Sequence, residues 1–414
     1  MKYVWLSVLL VGSLMAAGTE DLGTNVNTRY TVETVSVSGE GWIATPPVDR
    51  DQKISAGLRR EIASLVGQKL NPARLDDLAR RLRHELRARA VEHHVLRGKS
   101  PEYVQVVFQV KVPPTRFDAS VPKFLYQGRQ GWSGAIEGTA TVNNNGFTAG
   151  FVSDGDELVE RYTGVVARYE SQPVLEGRAR LNFEYADYRE LWDGSTAAAA
   201  GADQIYSTRQ EFQPVLSVRV ARPLEVSFGT SFESLGQPAP GAPPLSADAF
   251  VAGARYRQQF EGASDQGVEA DYDLRAGSHA LASDYAYTRH RWEFRYRLSH
   301  GKHELLDDSW GGVIFGTAPL FDRFVLGNST SLRGWNKFDL DPLGGNRVVH
   351  NSVEYHYGIF QIFCDTGAIW DSGQTAVARS SVGAGLRQGM FSLAMAFPLR
   401  NGRMDPVFMV GMNY

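Results

Sequence analysis

From about Lys123 onward the chain repeats every two residues, and it does so over runs of roughly 10 to 15 residues. Leu224, Val226, Phe228, Thr230 and Phe232 share one face, with Glu225, Ser227, Gly229, Ser231 and Glu233 on the other. Ala179, Leu181, Phe183 and Tyr185 oppose Arg178, Arg180, Asn182 and Glu184. Trp292, Phe294, Tyr296 and Leu298 oppose Arg291, Glu293, Arg295 and Arg297. A period of two is a strand, not a helix. Strands in soluble proteins usually run to about five or six residues. Longer strands with charges along one whole face suit a barrel, apolar outside and wet inside. The mean hydropathy of −0.28 agrees, because inward and outward residues average out. No stretch after the leader is apolar for the roughly 18 residues that a transmembrane helix needs.

Strand counting sharpens the barrel. Ten segments precede a long connection at 317–345: 132–143, 147–155, 159–170, 177–190, 206–221, 224–236, 247–261, 265–280, 284–300 and 303–316. Five follow it: 346–358, 359–371, 378–388, 390–399 and 405–414. The long connections 191–205, 237–246 and 317–345 share parity, so they lie at one rim. A chain entering from the periplasm reaches the outer rim after odd-numbered strands. One strand is therefore missing at the start, and Lys123–Gly128 is the best candidate. The expectation is a 16-stranded antiparallel transmembrane β-barrel over residues 120–414.

Ahead of it, residues 1–18 read as a secretory signal: Lys2, an apolar Val4–Met15 core, then Ala16-Ala17-Gly18. Residues 28–115 read as a small α+β domain. Tyr30–Ser38 alternates imperfectly, with Val32 on one face and Val35 and Val37 on the other. Helical spacing marks 53–66, through Ile54, Leu58, Ile62, Leu65 and Val66. Asn71-Pro72 starts a second helix with the stripe Leu75, Leu78, Leu82 and Leu86, to about Ala90. Tyr103–Val112 is another strand, ended by Pro113-Pro114. His93-His94 falls on the helix in this reading, where adjacent side chains diverge, so no metal site is expected. One cysteine, Cys364, excludes an internal disulfide. The net charge of −3 gives no field for nucleic acid.

The long connection holds Ser331-Leu332-Arg333-Gly334-Trp335. Beyond it come Glu354 in Asn351-Ser352-Val353-Glu354-Tyr355, then Phe363-Cys364-Asp365-Thr366-Gly367, then Gly411-Met412-Asn413-Tyr414 at the end. Alternation puts Phe363, Asp365 and Gly367 on one face and Cys364 on the lipid side. This combination resembles the outer-membrane assembly-factor superfamily, the bacterial surface antigen family of BamA-, TamA-, FhaC- and Sam-type barrels. The likeness covers about residues 28–414. It departs in offering one POTRA-like domain where many bacterial members have two to five.

The resemblance implies periplasmic POTRA modules of β-α-α-β-β order before a 16-stranded barrel. It implies that 317–345 is the sixth outer loop, folded into the lumen with Leu332, Arg333, Gly334 and Trp335 at its tip. Glu354 and Asp365 would hold Arg333, Phe363 and Gly367 complete the strand motif, and Gly411 and Tyr414 form the terminal signal and the closing seam. The implied function is assembly and insertion of outer-membrane proteins through a lateral seam between first and last strands. A secretion pore of FhaC type and a structural barrel without transport are the alternatives. Implied partners are the outer-membrane bilayer, unfolded outer-membrane or secreted polypeptides, and accessory periplasmic proteins or lipoproteins. No nucleophile–base constellation or phosphate loop stands out, so neither an enzyme nor a cofactor is expected.

Overall fold

The computed structural model describes residues 29–40, 54–86, 88–111, 115–175, 177–201, 204–221, 223–239, 241–260, 265–400 and 405–412. The expected leader, Pro113-Pro114 and Tyr414 lie outside them. The chain divides into two units.

The first unit runs β1 (Thr31–Glu40), α1 (Ala56–Ala63), α2 (Pro72–Glu85), β2 (Ala90–Arg97) and β3 (Tyr103–Lys111). Its sheet order is β1-β3-β2, with β1 parallel and β2 antiparallel to β3. Val32, Val35 and Val37 are all buried. The broken alternation has a physical source: the register slips between Val32 and Thr34, and a bulge of this kind returns the valines to one face. Ser55 caps α1 through Leu58 N–H, and Asn71 caps α2 through Arg74 N–H with Pro72 in its first turn. Leu58, Leu75, Leu78 and Leu82 pack on Val106, Phe108 and Val110.

Three expectations are corrected here. The stripe does not continue to Ala90: α2 stops at Glu85, and Ala90 opens β2, a strand that residue spacing missed. His93 and His94 therefore sit on a strand, facing Phe108 and Gln109 respectively. Val66 is exposed just past the end of α1, so the apolar stripe of that helix is shorter than its spacing suggested.

The second unit is a closed antiparallel barrel. Its first strands are β4 (Thr115–Gln127), β5 (Gly131–Val142), β6 (Asn145–Asp154) and β7 (Arg161–Glu170). Then come β8 (Ala179–Leu191), the short helix α3 (Gly194–Ala199), β9 (Thr208–Arg219) and β10 (Leu224–Gly236). The segments β11 (Leu245–Ser246) and β12 (Ala249–Phe260) both pair with β10, so they form one interrupted strand. β13 (Asp265–Gly277), β14 (Ala286–His300) and β15 (His303–Thr317) lead to the long loop with its one-turn helix α4 (Lys337–Leu340). β16 (Arg347–Tyr357), β17 (Phe360–Trp370), β18 (Arg379–Gln388), β19 (Phe391–Pro398) and β20 (Val407–Met412) complete the circle. With β11 and β12 as one, the barrel has sixteen strands, eleven before the loop and five after it.

The first strand is longer than expected: it starts at Thr115, ahead of residue 120, and Gly128 belongs to the turn beyond it. Outward positions such as Leu181, Phe228, Phe232, Trp292, Phe294, Ile362 and Phe408 are exposed. Inward positions carry ion pairs that step across strands, including Arg168 with Glu137 and Glu184, Arg255 with Asp271, and Arg257 with Glu269. An apolar exterior around a charged interior is stable in a bilayer and not in water. At the rim with the long connections, Trp192, Tyr206, Leu245, Ala247, Leu320, Phe321 and Leu343 form a hydrophobic cluster of their own.

Candidate functional site

The loop from 318 to 346 turns into the barrel because its tip is braced locally. Asn328 Oδ1 accepts from the N–H groups of Thr330 (3.0 Å) and Ser331 (2.7 Å) and from both hydroxyls. Such side-chain-to-backbone bonds replace a regular ladder in turns. Leu332 adopts φ 49° and Gly334 φ 92°. At Gly334 the reason for glycine is double. Its backbone is left-handed, and a Cβ there would stand 3.2 Å from the backbone of Ala396 and Pro398 on β19. Phe324, Leu326, Leu332 and Trp335 then pack with Tyr287, Ile314 and Val348 of the wall.

This geometry drives Arg333 against β16 and β17. Nε donates to Asp365 Oδ2 at 2.9 Å and Nη2 to Asp365 Oδ1 at 2.7 Å, a two-pronged grip on one carboxylate. Nη2 also donates to Ser352 Oγ at 2.8 Å, and Nη1 to Glu354. The backbone N–H of Arg333 adds a third bond to Asp365, at 2.9 Å. Phe363 lies under the guanidinium, 3.6 Å from ring centre to Cζ. Arg333 thus uses four guanidinium donors and a ring face, while its side chain is only 10% exposed. Two carboxylates compensate the desolvation of a buried cation.

The strand motif explains itself. Phe363, Asp365 and Gly367 are buried on the inner face, and Cys364 between them is exposed on the outer one. Gly367 lets Leu326 of the loop lie close: a Cβ would meet its methyl at 3.0 Å. Trp335 donates from Nε1 to the Ser380 carbonyl at 2.9 Å, with the guanidiniums of Arg400 and Arg379 over its ring at 4.6 and 5.4 Å.

Three functional neighbours escaped sequence reasoning. Ser352 donates to Asp365 (2.7 Å) while accepting from Arg333. His350 Nε2 accepts the Leu332 N–H at 3.0 Å, which requires the neutral ring with its proton on Nδ1. His356 links Glu354 (3.0 Å) to Glu304 (3.4 Å). All three share the inward parity of Glu354, two and four positions away, so the alternation along β16 contained the signal.

The closing seam is the second part of the site. β20 meets β4 through four register pairs, Gln127–Met409, Tyr126–Val410, Leu125–Gly411 and Phe124–Met412. One further bond runs from Gly128 N–H to the Phe408 carbonyl, 2.9 Å. Among the described residues β20 has 6 and β4 has 13, so β20 covers part of the first strand. Gly411 stands in this ladder; Tyr414 lies beyond the described residues.

Residues 262–410, which hold the loop tip and its partners, match the Omp85 superfamily domain. This is the superfamily that the loop and strand motifs resemble. Among solved structures, BamA from Haemophilus ducreyi lacking POTRA domains 1–3 is 15% identical with a TM-score of 0.57, covering 94% of this chain and 85% of that one. CdiB from Acinetobacter baumannii is 16% identical with a TM-score of 0.55, covering 92% and 74%. CdiB from Escherichia coli is 12% identical with a TM-score of 0.51, covering 93% and 76%. No curated protein sequence matches the chain.

Proposed function

We propose that this Omp85-type barrel assembles other β-barrels into the outer membrane, and that it works at its seam. The observation that carries the reading is the seam itself. Among the described residues four register pairs close the barrel, where β14 and β15 pair over fifteen. A short ladder beside a longer strand leaves an edge, and an edge accepts another strand by backbone pairing. An unfolded client strand could add there and enter the bilayer sideways. The Arg333 clasp holds the loop as a fixed inner wall while the seam opens.

In the same reading the first unit is a POTRA-like periplasmic module. Its sheet edges, β1 and β2, offer docking sites for unfolded clients or accessory proteins before they reach the barrel.

Secretion through the lumen is the rival. A disulfide across the seam separates the two. Tyr126→Cys with Val410→Cys, in a Cys364→Ser background, should stop insertion of a client barrel into vesicles until reductant is added. Undiminished insertion with the seam locked would sink the lateral mechanism. Undiminished passage of a secreted polypeptide in the same locked protein would point to the lumen.

A further inference from the structure

The loop tip grips more than the Arg333 wall. Ser329, four residues before Arg333, donates its N–H to Asp156 Oδ1 at 3.0 Å and its hydroxyl to Asp156 Oδ2. Lys337, four residues after Arg333, donates from Nζ to the carbonyls of Gly155 (2.6 Å) and Leu158. Gln130 Nε2 reaches the Gly327 carbonyl at 3.1 Å. Asp156, Ser329 and Lys337 are 1–2% exposed. Residues 155–158 join β6 to β7, and Gln130 lies in the turn from β4 to β5. Lys123 on β4 itself lies 2.6 Å from Asp154 and 3.6 Å from Asp156. One short, internally braced segment therefore holds the first strands on one side and β16 to β19 on the other. The seam lies between these two sets of contacts.

We propose that the segment Gly327–Lys337 is a two-ended strap that keeps the seam shut from inside, with Asp156, Ser329 and Lys337 as positioning residues of its first-strand end. The proposal rests on the seam being the working opening. For β4 and β20 to separate, at least one end must let go, because the Asn328 turn gives the strap little slack. The two ends differ in chemistry. At Arg333 a cation meets two carboxylates. At the first-strand end a carboxylate accepts from a hydroxyl and an N–H, and an ammonium donates to two carbonyls, with Asp156 and Glu160 acting on it through space rather than by a two-pronged contact. Ion–ion contacts with two-pronged geometry outlast ion–dipole ones. The first-strand end is therefore the one that releases.

The test uses the full chain in lipid nanodiscs, Cys364→Ser, with spin labels on Tyr126→Cys and Val410→Cys. Dipolar broadening then reports the fraction of molecules with a separated seam. Loss of a charge-assisted bond in Asp156→Ala or Lys337→Met should raise that fraction about ten-fold. Thr196→Ala removes a bond to the same loop at the Pro342 carbonyl, outside the strap, and should leave it unchanged. Retained heat-modifiable gel mobility certifies folding. Should Asp156→Ala not fold, Ser329→Ala, which deletes one hydroxyl, takes its place. A wild-type separated fraction in both first-strand variants overturns the strap. A wild-type protein that fails to insert clients overturns the assembly reading instead, and leaves the label result standing.

Discussion

Two ladders of the same barrel contrast sharply among the described residues. β14 and β15 pair over fifteen residues, and the inner side of this wall carries Arg295 held by Asp308 and Glu293. β20 and β4 pair over four. Each antiparallel pair contributes backbone bonds and a cross-strand contact, so cohesion scales with ladder length. A barrel closed evenly would have no preferred place to open. This one has a short described ladder at its seam and sets the inward loop beside it, on partners from both flanks.

The largest expected effect comes from locking the two ladders alike. The seam disulfide described above should abolish client insertion, while the same chemistry at Phe294→Cys and Ser309→Cys, a register pair between β14 and β15, should leave it intact. Equal loss from both locks would erase the distinction between the ladders.

Next comes the clasp. Arg333→Ala leaves Asp365 and Glu354 buried without their cation, and should lower barrel stability by about 3–5 kcal/mol in denaturant titrations. Arg255→Ala, which breaks a lumen pair whose arginine is 44% exposed, should cost no more than about 1 kcal/mol. Similar losses would mean that the loop clasp is one ion pair among many.

A smaller contrast concerns glycine. Gly334→Ala meets the β19 backbone at 3.2 Å with φ 92°, whereas Gly301→Ala, at φ 62°, has open space. Left-handed backbone alone costs an alanine about 1–2 kcal/mol. The Gly334 variant should lose more than the Gly301 variant in the same titrations, because β19 must also give way.

A last contrast is with pH. Burial pulls the Lys337 amine down to about 8, although Asp156 and Glu160 beside it oppose the shift. Its unfolded value is near 10.5, so between pH 8 and 10.5 the unfolded chain binds more protons than the folded one. The contribution of Lys337 to stability should therefore rise with pH through that window. The rise should be shallower in Lys337→Met, measured as the difference in thermal midpoint from wild type at pH 8 and pH 10.5.

Legibility in the sequence followed periodicity. The barrel was readable because long strands repeat inward and outward residues many times, and parity located the strand that its own weak alternation hid. Glu354 and Asp365 came from the family resemblance, in strands where period two fixes the facing side, and both lie on Arg333. In the first unit, β2 was lost because Ala90–Arg97 carries mixed residues on a half-exposed strand that follows the helix directly. Asp156, Ser329 and Lys337 were invisible for another reason. They sit in turns and loops, where no repeat sets direction, and the contact between Ser329 and Asp156 spans 173 positions of sequence.

The rim cluster has a consequence for anyone redesigning this surface. Trp192 and Tyr206 come from one connection, Leu245 and Ala247 from another, Leu320, Phe321 and Leu343 from the inward loop. They form a shared keystone, so the outer connections are not interchangeable modules. An epitope grafted in place of Trp192–Tyr206 would strip the cover from Phe321 and disturb the loop below it. None of the described residues of the Pro-rich tip at 237–244 belongs to that keystone, which makes it a better place to display foreign sequence.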